Sequence, residues 1–398
     1  MTPVSDKTTS KTTRFLVLFG GTVLMARLVS LMLGPLLVVL ADEFNTSVAV
    51  AGQLAAATFV TWGIIAPLVG PFSDTYGRRP VLLTGLAILA IGVLGSAASL
   101  SFISLIAFRL LTGIGAAMIP PTLAATVADI LPEADRGRGV GFLAGSSWLG
   151  VALGVPVVAL IGDAWGWRLP FYTTGGLLLV NLGLMWVLLP RVDRPADRDL
   201  AFLSRFKDIG RNAAPWYVMI ANALQQTALI GLMTYFAAYL IQDYGFNERA
   251  TSLPLALIGI GAFVGSVGGG LIAGRSYRLL GVAIASLGGG LGVGAIFALG
   301  APIWVVIASS LGASVLFTVS MPVLMILMLE LAGKSRATAS GMFGASNQLG
   351  SVIGASIGGV MLSIGDFAAV GIFCLVASAL SAMMVRFKLQ KSTELGGD

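Results

Sequence analysis

The sequence contains no histidine, a single cysteine (Cys374) and few charged residues, which make up 11% of its 398 positions. Without histidine the chain cannot build a Ser-His triad, a His-ligated metal site or the usual proton switch near neutral pH. A lone cysteine cannot form an intramolecular disulfide. Soluble domains are typically about a quarter charged, so this chain cannot cover a surface that faces water. These shortages exclude a water-soluble enzyme, a disordered protein and a disulfide-built domain.

Apolar residues are abundant: they form 57% of the chain, and its mean hydropathy is +0.93. One bilayer crossing needs about 20 mostly apolar residues. Apolar runs of this length, without alternation, do not fit the strands of a membrane barrel. We therefore expect an all-α membrane protein with twelve transmembrane helices, near 15–41, 50–72, 80–100, 103–130, 139–162, 169–190, 215–242, 250–273, 279–299, 302–331, 337–363 and 367–386.

The basic residues predict the orientation, because Lys and Arg resist translocation. With both termini cytoplasmic, twenty of the 24 Lys and Arg residues fall on the cytoplasmic side. Arg168 and Arg249 fall on the opposite side, and Arg27 and Arg109 fall inside helices. The basic residues are spread over every cytoplasmic loop rather than gathered on one face, which disfavours a nucleic-acid partner.

The polar segment 191–214 divides the chain into two sets of six helices. It predicts a cytoplasmic tail (1–14), a first six-helix bundle (15–190), the linker (191–214), a second bundle (215–386) and a tail (387–398). An offset of 200 residues aligns two regions of the halves: Gly70 and Arg78 with Gly270 and Arg278, and Arg136, Gly141, Ser146, Leu149, Gly150 and Gly154 with Arg336, Gly341, Ser346, Leu349, Gly350 and Gly354. Pseudo-symmetric bundles joined by a flexible linker are typical of transporters with a central site, although duplication could merely build a stable bundle.

The loop after the second helix reads Gly70-Pro-Phe-Ser-Asp74-Thr-Tyr-Gly77-Arg78-Arg79-Pro80. Its glycines allow a tight turn, Asp74 can accept from a helix N-terminus, and Arg78 and Arg79 can pair with carboxylates such as Asp129. This loop resembles the G-x-x-x-D-x-x-G-R-R/K signature of the major facilitator superfamily. The resemblance implies that fold, and a cluster that holds the bundles together on the cytoplasmic side and opens during transport. The alternative is a basic loop that only sets topology. Gly274 replaces the Asp in the second half, so we expect any second cluster to be weaker.

Two helices resemble the family's drug and metabolite exporters. Arg109-Leu-Leu-Thr-Gly113-Ile-Gly115 in helix 4 is similar to a motif whose Arg is tied to proton coupling, although Arg109 could also be a structural residue that reaches the membrane surface. Gly145-Ser-Ser-Trp-Leu-Gly150-Val-Ala-Leu-Gly154-Val-Pro156 in helix 5 resembles the antiporter motif of arabinose-type, purine-nucleoside and chloramphenicol exporters. Gly150 and Gly154 provide a smooth face for another helix, and Pro156 removes a backbone donor and bends the helix. This resemblance implies efflux, antiport and multidrug resistance.

Arg27, about 12 residues into helix 1, is the leading candidate for substrate binding. A charge near the bilayer centre costs at least about 2.5 kcal/mol unless water or an anion compensates it; nearby hydroxyls and helix carbonyls are the alternative partners. Drug antiporters of the family often carry an acidic residue in helix 1, and this helix has none. The sequence therefore favours an anionic, zwitterionic or neutral polar cargo. Other candidate residues at membrane depth are Gln53, Trp62, Asn222, Gln225, Gln226, Tyr235, Tyr239, Asn347 and Gln348.

These observations predict a monomeric secondary exporter in the bacterial cytoplasmic membrane. It would move a small organic solute or antibiotic outward in exchange for protons by alternating access, with lipid around it and no cofactor or metal. The alternative is an uptake carrier or uniporter for an anion held by Arg27. Candidate proton carriers are Asp42, Glu43, Asp129 and Glu330, none of them at mid-depth. A membrane enzyme would need a converging nucleophile, base or metal cluster, which the sequence does not show.

Overall fold

The computed structural model describes residues 5–131, 133–189, 212–332 and 336–389, and within these ranges it contains helices and no strand. For residues 5–14, 74, 133–138, 140, 336 and 337 it describes the backbone alone. The predicted linker 191–214 lies mostly outside these ranges. The helices are α1 (Ser5–Leu31), α2 (Leu37–Glu43), α3 (Val48–Ala51), α4 (Gln53–Tyr76), α5 (Arg78–Ala97), α6 (Phe102–Ile130), α7 (Glu133–Leu149), α8 (Val155–Trp165), α9 (Arg168–Leu188), α10 (Ala213–Tyr244), α11 (Glu248–Ile272), α12 (Arg278–Ala298), α13 (Ile303–Leu331) and α14 (Arg336–Met383).

Short irregular helices join several of these elements into single membrane spans. A 3₁₀ turn (Gly34–Leu36) connects α1 to α2, and a π-helical turn (Gly150–Gly154) connects α7 to α8. Eleven segments of described residues are long and apolar enough to cross a membrane. They follow the apolar runs that the sequence predicts: for example, the predicted helix at 80–100 is Arg78–Ala97.

The last of the eleven segments, Thr338–Leu389, is 52 residues long, about twice the length of one crossing. Its backbone leaves the helical region at Gly365 and Asp366. Ser346, before this break, accepts from Asn222, while Ser381, after it, donates to the carbonyl of Ala221. Residues 346 and 381 therefore lie at the same level, so the chain doubles back between them. The total of twelve helices and the orientation in the membrane remain predictions.

The loops between spans gather at two opposite ends of the molecule. At one end, which we call the linker end, Arg78 meets Asp129 and Arg79 donates to the carbonyl of Trp186. At the other, the far end, Arg168 meets Glu43. Gly77, with φ +93°, supplies the left-handed backbone that the tight turn between α4 and α5 requires. The linker end is predicted to be cytoplasmic.

The two halves repeat the same helix contacts. A Cβ at Gly150 would lie 3.1 Å from the carbonyl carbon of Leu24 on α1, and a Cβ at Gly350 would lie 2.9 Å from that of Ala223 on α10. Glycine at these two aligned positions lets a helix backbone rest on the first helix of its half. The offset of 200 residues therefore corresponds to equivalent packing in space.

Candidate functional site

Arg27 lies near the middle of the first span, Phe15–Glu43, and is half-buried. Its guanidinium carbon lies 5.2 Å from the centroid of the Trp148 ring on α7, within the range of a cation–π contact. Within the described residues, the Arg27 side chain forms no hydrogen bond and no ion pair. The neighbouring hydroxyl of Ser30 donates to the backbone carbonyl of Arg27 rather than meeting the guanidinium. An aromatic face alone does not replace the water lost by a charge at this depth, so an anionic group could bind here.

Polar side chains of the second half lie on α10 and α14. Asn222 on α10 donates to Ser346 Oγ and to Asn347 Oδ1, both at 2.8 Å. One turn further along α10, Gln226 Nε2 lies 4.0 Å from the sulfur of Met321 on α13. Gln348 has a buried Oε1 that finds no hydrogen-bond partner in the described structure. An unsatisfied amide oxygen at this depth is costly, and a substrate with a donor group could satisfy it.

Gln53 and Tyr235 lie where the two halves meet, towards the far end. Gln53 Nε2 donates to the carbonyl of Ser356 on α14 at 3.1 Å, so this bond crosses between the halves. Tyr235 donates to the carbonyl of Ala355, and a Cβ at Gly52 would lie 2.8 Å from Tyr235 Cζ. Both side chains therefore take part in closing the far end.

Three further predicted residues are used for packing. Gln225 donates to Ser286 on α12, and Tyr239 donates to the carbonyl of Ile296 on the same helix. The Tyr239 ring also packs in edge-to-face contacts 5.1 Å from Phe297 and 5.2 Å from Phe367. Trp62 belongs to the hydrophobic core and is 7% exposed. Gln225 and Tyr239 thus join α10 to α12 inside the second half.

The predicted charge cluster at the linker end is an ion pair within each half. Arg78 Nε lies 3.1 Å from Asp129 Oδ2, and Arg78 Nη1 donates to Ser73 at 3.0 Å. Arg79 lies with its guanidinium 5.9 Å from the Trp186 ring. The side chain of Asp74 is outside the described residues. Each of these contacts joins helices of the first half.

The second half carries the equivalent pair in a bidentate form. Arg278 donates to both carboxylate oxygens of Glu330, at 2.9 and 2.6 Å, and to the carbonyl of Ala273. Bidentate arginine–carboxylate pairs are stronger and more directional than single contacts. Although Gly274 stands in place of the Asp, this loop therefore carries an ordered ion pair, which joins helices of the second half. A weaker second cluster between the bundles stays a prediction.

Arg109 is 0% exposed and lies inside the first half, so it does not reach the membrane surface. Its Nε and Nη2 donate to Ser96 Oγ at 3.1 and 3.0 Å, and Nη2 also donates to Thr112. The guanidinium lies 5.2 Å from the Phe171 ring, while Nη1 has no acceptor in the described structure. A buried arginine held by two hydroxyls and a ring, with no carboxylate among these contacts, keeps an uncompensated positive charge.

The helix 5 motif contains the π-helical turn Gly150–Gly154, and Pro156 follows as the second residue of α8. Single π turns are rare and often occur at functional sites. Gly154 rests against Leu28 of α1, and Ala152 lies against Gly259 of α11 in the second half. A Cβ at Gly259 would lie 2.8 Å from the carbonyl carbon of Val151 and closer still to Ala152. The predicted smooth face, Gly150 and Gly154, therefore packs on α1 within the first half, while Val151 and Ala152 of the same turn lie at the interface between the halves.

Backbone-to-backbone contacts also close the far end. A Cβ at Gly34 would lie 2.8 Å from the carbonyl oxygen of Met233, and a Cβ at Gly359 would lie 2.6 Å from that of Ala49. The structure adds two residues to those that the sequence predicts for the site. Trp148 lies in the helix 5 motif but is not among the predicted binding residues. Glu248 lies two residues before the predicted helix at 250–273, whereas α11 begins at Glu248 with Asn247 as its cap.

The family model described as "Major Facilitator Superfamily" matches residues 19–332. An uncharacterized MFS-type transporter of Bacillus subtilis (strain 168), YceJ, is 24% identical over 244 residues, which are 61% of this chain and 62% of the relative. Quinidine resistance protein 1 of Saccharomyces cerevisiae is 27% identical over 138 residues, which are 35% of this chain and 24% of that protein. The matches to these two relatives thus span less than two thirds of their lengths.

A longer match is to the putative transporter AraJ of Escherichia coli (strain K12), 24% identical over 89% of this chain and 91% of the relative. Among solved structures, a bacterial homolog of the human lysosomal transporter Spinster, in an inward-facing and unoccupied conformation, has a TM-score of 0.80. It shares 16% identity, and the alignment covers 96% of this chain and 98% of that chain. At this identity the likeness shows the fold alone.

Proposed function

Because the chain belongs to the major facilitator superfamily, whose members are transporters and not enzymes, we propose that it exports a small organic solute by alternating access in exchange for protons. The protein is a multi-pass membrane transporter, and we place it in the cytoplasmic membrane of a bacterium with its linker end inside.

The unpaired guanidinium of Arg27 carries the proposal for the cargo. It is a half-buried positive charge in the middle of a membrane span, and its contact is the aromatic face of Trp148. A solute with an anionic or strongly polar group next to a flat apolar part would satisfy both side chains. Asn222, Asn347 and Gln348 would supply hydrogen bonds from the second half. A few polar groups in a mostly apolar pocket are typical of sites for small organic ligands.

Two observations support export rather than uptake. The π-helical turn and its contact with Gly259 lie in the segment that resembles the antiporter motif of drug and metabolite exporters. One relative is named as a quinidine resistance protein, which is consistent with removal of an organic compound from the cell. Uptake or uniport of an anion remains the second candidate, because Arg27 would bind such an anion from either side.

Transport in proteoliposomes would test the proposal. Purified protein is first screened by thermal shift against organic acids, zwitterionic metabolites and antibiotics, and the strongest stabiliser is used as labelled cargo. Counterflow should occur without a gradient. An imposed pH gradient should then drive the cargo towards the more acidic compartment if the protein is an antiporter. Accumulation on the alkaline side would indicate symport, and counterflow that ignores the gradient would indicate a uniporter; either result would refute the antiport proposal.

A further inference from the structure

Most carboxylates that the sequence offers as proton carriers are already paired or exposed. Glu43 accepts from Arg168 at 2.8 Å, Asp129 from Arg78 and Glu330 from Arg278. Asp42, the remaining candidate, is exposed at the far end. None of these four residues has a buried carboxylate oxygen without a partner in the described structure.

Glu248 has a different environment. It is the first residue of α11 in the second half, and its Oε2 is buried without a hydrogen-bond partner in the described structure. The same oxygen would lie 2.9 Å from a Cβ at Gly162 on α8, in the first half, so the carboxyl group rests against bare backbone across the interface. Leu36, which is fully buried, lies 2.8 Å from that same Cβ position.

The charged groups around Glu248 do not neutralise it. Across the interface, Asp163 on α8 adds a second carboxylate, which is exposed. On its own helix, the next residue is Arg249, which is exposed and for which the described structure shows no ion pair with Glu248. Arg168 at the start of α9 is engaged by Glu43 and lies over the Trp167 ring. Asp243, at the end of α10, is exposed and also negative.

We propose that Glu248 is a proton-binding site that controls closure of the far end. In the ionised, half-buried side chain of Glu248, Oε2 is held away from water without a donor, which disfavours the charged form, whereas the protonated acid is neutral and fits against Gly162 and Leu36. When the halves part at the far end, water reaches this oxygen as well and the proton can leave. The closed state therefore binds this proton more tightly than the open state, and proton binding from the far side favours closure.

In an exporter, acid outside the cell would favour closure of the far end after the cargo leaves, because a proton then binds Glu248. Since this proton enters and leaves on the far side, Glu248 regulates the step and does not itself carry the proton that crosses the membrane. This role rests on the proposed export, although the proton site itself does not. By linkage, the ratio of open to closed far ends should rise with pH, by at most tenfold per pH unit for a single proton.

Distances across the far end would test the site. Leu100 in the first half and Leu299 in the second are 91% and 71% exposed at this end, so each can be changed to Cys and spin-labelled in the full chain with Cys374→Ala. Between pH 5 and 9 the distance distribution should shift from short to long as pH rises. In Glu248→Gln, whose side chain is neutral at every pH, the distance should stay short throughout this range. Asp42→Asn, which removes an exposed carboxylate at the same end, should keep the wild-type pH profile.

A distribution that does not respond to pH, or a Glu248→Gln protein with the wild-type profile, would overturn the proposal. If Glu248→Gln is not recovered as a folded protein, Glu248→Asp keeps a titrating group and should keep a pH response with a displaced midpoint; loss of the response there would also count against the site. The proton site and the antiport can fail separately. If the spin-label distance depends on pH but transport ignores the pH gradient, the proton site stands and antiport is refuted. If Glu248→Gln still transports in response to the gradient and its distance keeps the wild-type pH profile, antiport stands and the proton site is refuted.

Discussion

Gly259→Ala should separate the two halves at a point where their backbones touch closely. The added methyl would lie 2.8 Å from the carbonyl carbon of Val151, and closer to the backbone of Ala152, in the π-helical turn of the opposite half. Carbon atoms in contact normally lie about 3.5–4.0 Å apart, so the helices must move by roughly 1 Å. Backbone atoms cannot rotate out of the way as a side chain can.

Overpacking of this kind typically costs about 1–3 kcal/mol. Since each 1.4 kcal/mol is a factor of ten, the substitution should reduce the population with this interface closed by roughly 5- to 150-fold. The spin-label pair at positions 100 and 299 should report a broadened or longer distance, and transport in proteoliposomes should fall while the purified protein stays monodisperse. The change acts between the halves and leaves the core of each half untouched.

Gly268→Ala is the matched control, because it makes the same chemical change on the same helix. The nearest atom to a Cβ at Gly268 is Val319 Cγ2, at 4.0 Å. Alanine there meets open space and favours the helix by up to about 1 kcal/mol, so distances and transport should match wild type. The reasoning would be refuted if Gly259→Ala transported normally with unchanged distances, or if Gly268→Ala were equally damaging.

Three other substitutions probe the charged groups. Arg27→Gln should raise the KM for the cargo by about 10- to 150-fold, because a charge-assisted hydrogen bond of about 1.5–3 kcal/mol is lost. Arg27→Lys should keep part of the affinity. An unchanged KM in Arg27→Gln would give Arg27 a structural role. Arg109→Met should leave the melting temperature unchanged or raised, because an apolar side chain replaces a buried charge and the hydroxyls of Ser96 and Thr112 still donate to helix carbonyls. Proton-coupled transport should fail in this variant. Normal coupling would remove Arg109 from the mechanism. Glu330→Gln should cost less than about 1 kcal/mol of stability, because the carboxylate is half exposed, and a large fall in melting temperature would contradict this.

The spans could be predicted because apolar length is a strong constraint in a membrane: α5 and α9 lie within two or three residues of the predicted runs. The direction of individual side chains could not. Almost every residue of α10 between Ala221 and Leu240 is buried, so this helix has no polar face to show which way Gln225 or Tyr239 points. The sequence groups them with Asn222, whereas they contact α12 instead.

The environment of Glu248 is a second feature that could not be predicted from the sequence. Its importance depends on a contact with Gly162, 86 positions earlier in the chain, and on the missing Cβ at that glycine. Only the fold brings the two residues together. The π-helical turn is similar: Pro156 predicts a disturbed helix, but the five-residue turn also depends on the carbonyl of Leu24 and the backbone of α11 that pack against it.

The kinds of contact differ within and between the halves, and this difference bears on how the protein can move. Within each half, ion pairs join the helices: Arg168 with Glu43, Arg78 with Asp129, and Arg278 with both oxygens of Glu330. Between the halves, the contacts described above are mainly glycine against backbone, with the hydrogen bond from Gln53 to Ser356 crossing near the far end.

Contacts of glycine against backbone are short-ranged and involve no charged group, so breaking them leaves no charge unpaired. Each half can then move as a rigid unit, and the free-energy difference between the two ways of packing the halves can stay within a few kcal/mol. A shift from 1:99 to 99:1 needs about 5.5 kcal/mol of differential binding. A cargo that binds Arg27 in the first half and Asn222, Asn347 and Gln348 in the second, acting together with one proton at Glu248, could supply a large part of that difference. Ion pairs across the interface would raise the cost of each opening and slow the cycle, which gives a physical reason why the three ion pairs named above lie within the halves.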